Sequence, residues 1–157
     1  MKKLTRDEVI AIIEKAKQQG KRPDFSNMNL SGLDLSGLDF TLAILTYSDL
    51  EGADLTEANC HFANFYRADL TKANLDCANL TGANCHFANF WRAKCHGANF
   101  TYANLTDAYI AYADLTKANL YGAILAYANF TEAYLTEANL AYADFKRANL
   151  EDAKGLK

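Results

Sequence analysis

An apolar residue recurs at every fifth position from Phe25 to Leu150, and this period constrains the fold more than any other feature of the chain. The 26 positions carry fifteen Leu, seven Phe, three Cys and one Ile. A period of five fits neither an α-helix, which repeats every 3.6 residues, nor a two-faced β-strand, which repeats every two. The spacing therefore predicts a repeat architecture whose unit is five residues long.

Two further columns accompany the apolar one. Ala stands two residues before it at 21 of the 26 positions, and Asp or Asn stands between them, also at 21. Residues two apart on an extended segment face the same side, so Ala and the large apolar residue point inward and Asp or Asn points outward. Six of the eight glycines fall two residues after the apolar position, where a turn can require positive φ. The pattern predicts a narrow β-solenoid of three extended and two corner residues per side, with coils about 4.8 Å apart.

These units resemble the pentapeptide-repeat family. The segments 53–57 (ADLTE) and 118–122 (ANLYG) follow the A-(D/N)-L-x-x pattern, and the resemblance covers about 130 of the 157 residues. It implies an all-β solenoid, a right-handed quadrilateral parallel β-helix with four pentapeptides in each coil. With four sides, the 26 repeats would form about 6.5 coils.

The first 22 residues have a different pattern, which predicts a helix from Leu4 to Gln19. Thr5 and Glu8 form a capping box, and an apolar stripe follows from Val9 to Ala16. The inward Ala column of the first coil is enlarged to Met28, Leu33 and Leu38, as an end covered by a helix would require. We therefore divide the chain into a capping helix (1–22), a β-helix (23–153) and a C-terminal tail (154–157).

Three Cys-His doublets, at 60–61, 85–86 and 95–96, invite a zinc interpretation. The period argues against it, because each Cys points inward while the neighbouring His lies at an outward corner. The sequence shows no constellation of a nucleophile with a general base, and a filled core offers no interior cavity for a substrate. We expect no catalytic residue, no metal ligand and no cofactor. A thiol- or metal-responsive role, with Cys77 as the exposed thiol, is the third functional alternative.

Charge limits the partners. The net charge is −3, with seven acids and no base in residues 23–66 and seven bases with three acids in residues 1–22. The resemblance includes relatives of the quinolone-resistance type, which mimic a DNA duplex and bind type II topoisomerases. Mimicry needs continuous negative charge, and cations from Arg67 onward interrupt it. A DNA-mimic regulator of a type II topoisomerase is therefore the second functional alternative, and we expect no direct binding of nucleic acid.

Localisation is inferred from what the sequence contains. No apolar run approaches the roughly 18 residues that a membrane helix needs, so we expect no membrane partner. The N-terminus reaches acidic residues too early for a signal peptide, and four cysteines in such a chain favour reduced thiols. Together these features predict a cytoplasmic protein.

Outward aromatic residues concentrate on one side when the sequence is sorted by a period of twenty. This side has two Ile where Asp or Asn is usual, and a ridge of aromatic corner residues flanks it on each edge. We call it the aromatic face. The sequence leaves open whether it binds a partner or only stabilises the stack. Its candidate residues are Leu42, Ile44, Tyr47, Phe62, Tyr66, Phe87, Tyr102, Ile124, Tyr127 and Tyr142.

The function predicted first is that of a non-enzymatic protein-interaction or scaffold module with an unidentified protein partner. The C-terminus shows no cap comparable to the N-terminal helix. The sequence neither supports nor excludes a homodimer through the C-terminal coil.

Overall fold

The computed structural model describes residues 3–156 and contains one helix, α1, which spans Arg6–Gln18. Thr5 is its N-cap, with φ −100° and ψ 163°, and the predicted capping box with Glu8 is present. The helix is shorter than the predicted 4–19 because its first residues are held in extended backbone. Lys3 pairs in parallel with Asn29 of the first coil instead of joining the helix.

Residues beyond α1 form stacked coils rather than conventional strands. Within residues 3–156, backbone pairing consists of isolated parallel bridges, and from Asp24↔Ile44 to Tyr134↔Lys154 each joins residues 20 apart. Each coil therefore holds four pentapeptides, as the family resemblance implies. Each side contributes one bridged residue instead of a longer strand, because only one residue separates it from the turn on either side.

Every backbone donor of a typical repeat is satisfied, which explains how such short pairing can be stable. Two donors reach the next coil, one reaches the previous coil, one closes the corner, and the last bonds the outward Asp or Asn side chain. That side-chain bond shows that the outward Asp/Asn column stabilises the turns. In repeat 53–57 the donor–acceptor pairs are Leu55 N to Asn74 O (2.6 Å), Glu57 N to Asp76 O (2.9 Å), Asp54 N to Leu33 O (2.8 Å), Ala53 N to Leu50 O (3.0 Å) and Thr56 N to Asp54 Oδ1 (2.9 Å).

The four sides are called faces A to D, with the first bridged residues Asp24, Asn29, Asp34 and Asp39 respectively. The corner residues between two faces form ridges AB, BC, CD and DA. The second corner residue of every repeat has positive φ, from Asn27 (56°) to Asp152 (54°), whether or not it is glycine. Side chains at this position therefore leave the corners in a common left-handed geometry.

The core is a stack of inward columns. From Phe25 to Leu135 no residue of the large apolar column is more than 2% exposed. Phe90 and Phe100 meet across one coil with ring centroids 5.9 Å apart, so two large side chains fill opposite sides of that coil. The last coil is less covered, since Leu140, Phe145 and Leu150 are only partly buried. Burial therefore follows whether a layer has a neighbour on both sides.

Candidate functional site

The aromatic face is face A together with ridges DA and AB. On ridge DA, Leu42, Phe62, Tyr102 and Tyr142 are 46%, 54%, 62% and 83% exposed. The Phe62 ring lies where a Cβ at Gly82 would be, so the glycine one coil later makes room for it. Tyr102 and Gly122 repeat this arrangement. Two rings of this ridge therefore lie flat along the rod.

Ridge AB is organised around an arginine. The Arg67 guanidinium carbon lies 5.9 Å, 5.6 Å and 5.1 Å from the ring centroids of Tyr47, Tyr66 and Phe87. Tyr47 and Tyr66 also contact each other edge to face at 5.6 Å. These candidate residues do lie together, and they pack on each other as well as facing solvent.

The same ridge continues towards the C-terminal coils with charged groups between its rings. The His86 imidazole stacks on Phe87 with centroids 4.2 Å apart, and its Nε2 lies 3.6 Å from an Asp107 carboxylate oxygen. Arg147 lies over Tyr127 at 5.7 Å and donates a 3.4 Å hydrogen bond to the tyrosine hydroxyl. Rings and charges alternate at the second corner position of this ridge, from Tyr47 to Arg147.

The centre of face A carries the two apolar replacements. Ile124 is 44% exposed, and Ile44 is half-buried. Between them Asn84 donates a 3.0 Å side-chain hydrogen bond to Asn64. The isoleucines place apolar surface between the two ridges.

Exposed apolar side chains are not confined to the aromatic face. Of the twelve large ones in residues 3–156, eight belong to it, whereas Tyr109, Tyr112 and Tyr134 lie on face B, ridge BC and face C. Trp91 also lies on ridge BC, where Lys72 and Arg92 approach its ring at 5.6 Å and 4.5 Å. Sequence reasoning missed this basic aromatic cluster, although a 20-residue spacing already aligns Lys72 with Arg92.

The inward thiols are poorly reactive, because burial disfavours the thiolate form. Burial raises the pKa of Cys60 to about 12 and raises the pKa values of Cys85 and Cys95 as well. Each neighbouring His lies on an outward corner, and no group of three His, Cys, Asp or Glu side chains in residues 3–156 is placed to hold a metal ion. Cys77 is free and exposed on ridge CD.

One ion pair joins the basic N-terminal segment to the acidic first coils within the described residues, Arg6 with Asp34 at 2.9 Å. Hydrogen bonds from Ser36 lower the pKa of Asp34 most, and the nearby Arg6 lowers it further. Arg22 donates instead to the Leu42 carbonyl oxygen at 2.7 Å. Within residues 3–156, the N-terminal segment thus pairs directly with one carboxylate of the first coils, that of Asp34.

Within residues 3–156, α1 lacks the length and apolar character of a membrane-crossing helix.

At the C-terminal end an open depression of about 530 Å³ is lined by Thr136, Glu137, Ala138, Leu140, Gly155 and Leu156.

Comparison with known proteins places this geometry in a family. The sequence matches the family of pentapeptide repeats, in eight copies, over residues 24–46, 43–77, 78–111 and 113–152. Among curated proteins, none is significantly similar in sequence to this chain.

Similar solved structures include HetL, a pentapeptide repeat protein involved in heterocyst differentiation regulation in Nostoc sp. strain PCC 7120. The two chains are 35% identical with a TM-score of 0.68, over 85% of this chain and 70% of HetL. A second Nostoc pentapeptide repeat protein, alr5209, is 26% identical with a TM-score of 0.50, over 77% of this chain and 79% of its own.

Trypsin-treated QnrB1 carrying R167E, a plasmid-mediated fluoroquinolone resistance protein, shares the fold alone. It is 21% identical with a TM-score of 0.58, over 82% of this chain and 65% of QnrB1. The eight repeat copies and the likeness to HetL show that this chain belongs to the pentapeptide-repeat family, whose members fold as right-handed quadrilateral β-helices.

Proposed function

We propose that this protein is a non-enzymatic interaction or scaffold module that binds a protein partner through the aromatic face. One observation carries the proposal: eight of the twelve large apolar side chains exposed in residues 3–156 lie on this side of the rod. Contiguous apolar patches rimmed by polar groups are typical of protein-binding sites, and aromatic and arginine side chains dominate their energetics.

Packing along the ridges accounts for part of this surface but not for its centre. Contact of a ring with the next coil stabilises the rod without any partner, and Phe62 against Gly82 is an example. The isoleucines of face A are not rings, and each occupies a position where Asp or Asn is usual. Replacement of Ile44 and Ile124 therefore tests partner binding with no loss of folding stability expected.

The decisive experiment is a pull-down from source-cell extract with the double variant Ile44→Asn, Ile124→Asn. We expect the melting midpoint to be unchanged or raised, because each new Asn can bond along its column, and partner capture to fall at least about tenfold. Unchanged capture of every partner would contradict the proposal.

A stronger perturbation is the triple variant Phe62→Ser, Phe87→Ser, Tyr127→Ser. We expect binding to weaken by about 2 kcal/mol or more. The matched control replaces Thr56, His96 and Thr116 with Ala on ridge CD, which carries no aromatic residue. Capture that is equally reduced by the control would show that the loss is not specific to the aromatic face.

A topoisomerase-directed DNA mimic is the weaker candidate. The structural likeness to QnrB1 shows a common fold, whereas charge decides mimicry. Arg67, Lys72 and Arg92 lie on the outer ridges of the middle coils and break the negative surface that a duplex would present. A supercoiling assay with DNA gyrase tests it, and inhibition at a stoichiometric protein concentration would favour this candidate over the first.

We also propose that α1 caps the N-terminal end of a rod of about 6.5 coils. Val9 is fully buried, and Leu4, Ile12 and Ile13 pack against the core, where they cover the enlarged first coil. Deleting residues 1–22 should lower the melting midpoint by at least roughly 10 °C or cause aggregation. A monomeric truncation with an unchanged midpoint would rule out the cap.

The open C-terminal coil is a candidate contact for a second copy. Leu140, Phe145 and Leu150 are only partly buried there, and Leu156 is 41% exposed. Sedimentation velocity over a concentration series tests the homodimer, with Leu156→Glu as the disrupting variant. A single monomeric species at all concentrations would exclude it.

The proposed compartment is the cytoplasm, which suits four free cysteines. Fractionation of source cells tests it. Recovery of the protein in an oxidising compartment would overturn it.

A further inference from the structure

Two arginines on neighbouring ridges are fixed by aromatic rings and have no hydrogen-bond or ion-pair partner within residues 3–156. Arg67 on ridge AB lies against three rings, and the shortest of these contacts is 5.1 Å, to Phe87. Arg92 on ridge BC lies 4.5 Å from the Trp91 ring and 5.8 Å from that of Tyr112. Both side chains are exposed.

Contact with a ring uses none of the N–H donors of a guanidinium. The donors of Arg67 and Arg92, which have no partner within residues 3–156, therefore remain available as a planar fork that matches a carboxylate. Contact with rings on several sides also restricts each side chain before any ligand arrives. This lowers the entropy that binding would cost.

Arg67 and Arg92 flank face B. They are 25 residues apart in sequence, which places them on the two edges of that face and in neighbouring coils. Lys72 adds a third cation beside them, 5.6 Å from the Trp91 ring and 4.0 Å from a Glu51 carboxylate oxygen. We call Arg67, Lys72, Trp91 and Arg92 the basic cluster.

Acidic residues bound the basic cluster along ridge BC. Glu51 lies one coil before Lys72, and Glu132 and Asp152 follow two and three coils after Arg92 in the same column. The cationic stretch is thus only about two coils, or roughly 10 Å, long. A long polyanion such as a nucleic-acid duplex would run into like charge at both ends. A short acidic segment would meet only Asp69 on face B, whose Oδ1 already accepts a 3.0 Å hydrogen bond from the Thr71 backbone N–H.

We propose that the basic cluster is a second binding site, and that its ligand is a short acidic segment of a protein partner whose carboxylates pair with Arg67 and Arg92. The site shares Arg67 and ridge AB with the aromatic face, but it lies off face A and does not depend on its isoleucines. Lys72 adds to the charge that steers the segment, and the ring contacts limit the positions open to each guanidinium fork.

The test measures binding of fluorescein-labelled hexaglutamate by anisotropy at low ionic strength, with a Gly-Ser peptide of equal length as the negative probe. We expect wild type to bind hexaglutamate, and Arg67→Gln with Arg92→Gln to weaken it at least about tenfold. The matched control is Lys117→Gln with Arg147→Gln, which removes the same charge elsewhere and should change affinity less than about twofold. Circular dichroism and melting midpoints verify that every variant is folded.

A second variant separates the fork from the charge. Arg67→Lys with Arg92→Lys keeps both positive charges, and we expect it to lose at least about threefold in affinity. Equal binding by this variant, equal losses in the control pair, or no hexaglutamate binding to wild type would each overturn the proposal. So would tighter binding of a duplex of about 20 base pairs, which would indicate a nucleic-acid site. Ile44→Asn with Ile124→Asn should leave hexaglutamate binding unchanged, so failure of the aromatic face can be told from failure of this site.

Discussion

The inward columns and the outward ridges are built by the same residues in the same repeats, yet they obey different rules. Inside, one large apolar and one small residue alternate with little variation, and from Phe25 to Leu135 the large column is at most 2% exposed. Outside, neighbouring corners on ridge AB carry Tyr47, Arg67 and Phe87 in successive coils. Close packing restricts what the interior accepts, whereas solvent accepts any side chain that tolerates the corner backbone. The residue types of the inward columns therefore reflect the fold, whereas those of the ridges reflect the proposed binding function.

Thiol chemistry gives the largest expected contrast between the two regions. Burial raises the pKa of Cys60 to about 12, which lowers its thiolate fraction by about 1,000-fold relative to an ordinary thiol. Exposed Cys77 should therefore react with iodoacetamide at pH 8 while the three inward cysteines do not. Mass spectrometry of the native protein should find one modified cysteine, and modification of all four before unfolding would contradict the packed interior.

Truncating the large inward column should have the next largest effect. Leu75 is fully buried in the middle of the rod, so Leu75→Ala should cost about 2–5 kcal/mol through cavity formation. Leu150→Ala, in the partly buried last coil, should cost only about 1 kcal/mol. Urea unfolding measures both. Equal losses would mean that the two ends of the stack are equally covered.

Enlarging the small inward column should destabilise less. Ala73 is fully buried, and Ala73→Leu should cost at least about 1–3 kcal/mol because stacked coils leave no space for the added carbons. Thermal unfolding measures the loss. A neutral result would show that this column tolerates larger side chains and would weaken the distinction between inside and outside.

The smallest effect should come from a ridge, where two glycines form a matched pair. Gly82 and Gly52 have φ of 64° and 63°, so replacement by Ala should cost each about 1–2 kcal/mol of backbone energy. Only at Gly82 would the new Cβ also displace the Phe62 ring, because nothing lies within 4 Å of a Cβ at Gly52. Urea unfolding of both variants isolates the ring contact as their difference. No difference would mean that ring stacking on ridge DA contributes nothing to stability.

Much of the fold could be predicted because a five-residue period leaves few architectures. The inward columns, the turn role of Asp and Asn and the capping box of α1 all follow from local spacing. Contacts between coils needed the number of sides, which the period itself does not contain and which the family resemblance supplied. Once four sides are known, a 20-residue spacing aligns Phe62 with Gly82 and Lys72 with Arg92.

The candidate site was harder to predict because the direction taken by an exposed ring depends on its neighbour in the next coil. The Phe62 ring lies down over a glycine, whereas Arg67 draws three rings around itself. Composition shows that both ridges are aromatic, but it cannot show which rings are already engaged. Nor can it show that the guanidinium groups of Arg67 and Arg92 have no hydrogen-bond partner within residues 3–156, because that depends on contacts between coils.

The left-handed second corner residue has a consequence for how such a protein can change. Twenty of these positions in the described chain hold a residue other than glycine, and none of them is Val, Ile or Thr. Each could become Gly or Asn with a gain in backbone energy, so the molecule tolerates strain in order to show particular side chains. These positions recur about every 4.8 Å along each ridge, and a substitution at one of them leaves the inward columns unchanged although it alters contacts with the neighbouring coil. Substitutions on the ridges can thus change the proposed binding surface one side chain at a time, because the packing of the interior does not restrict them.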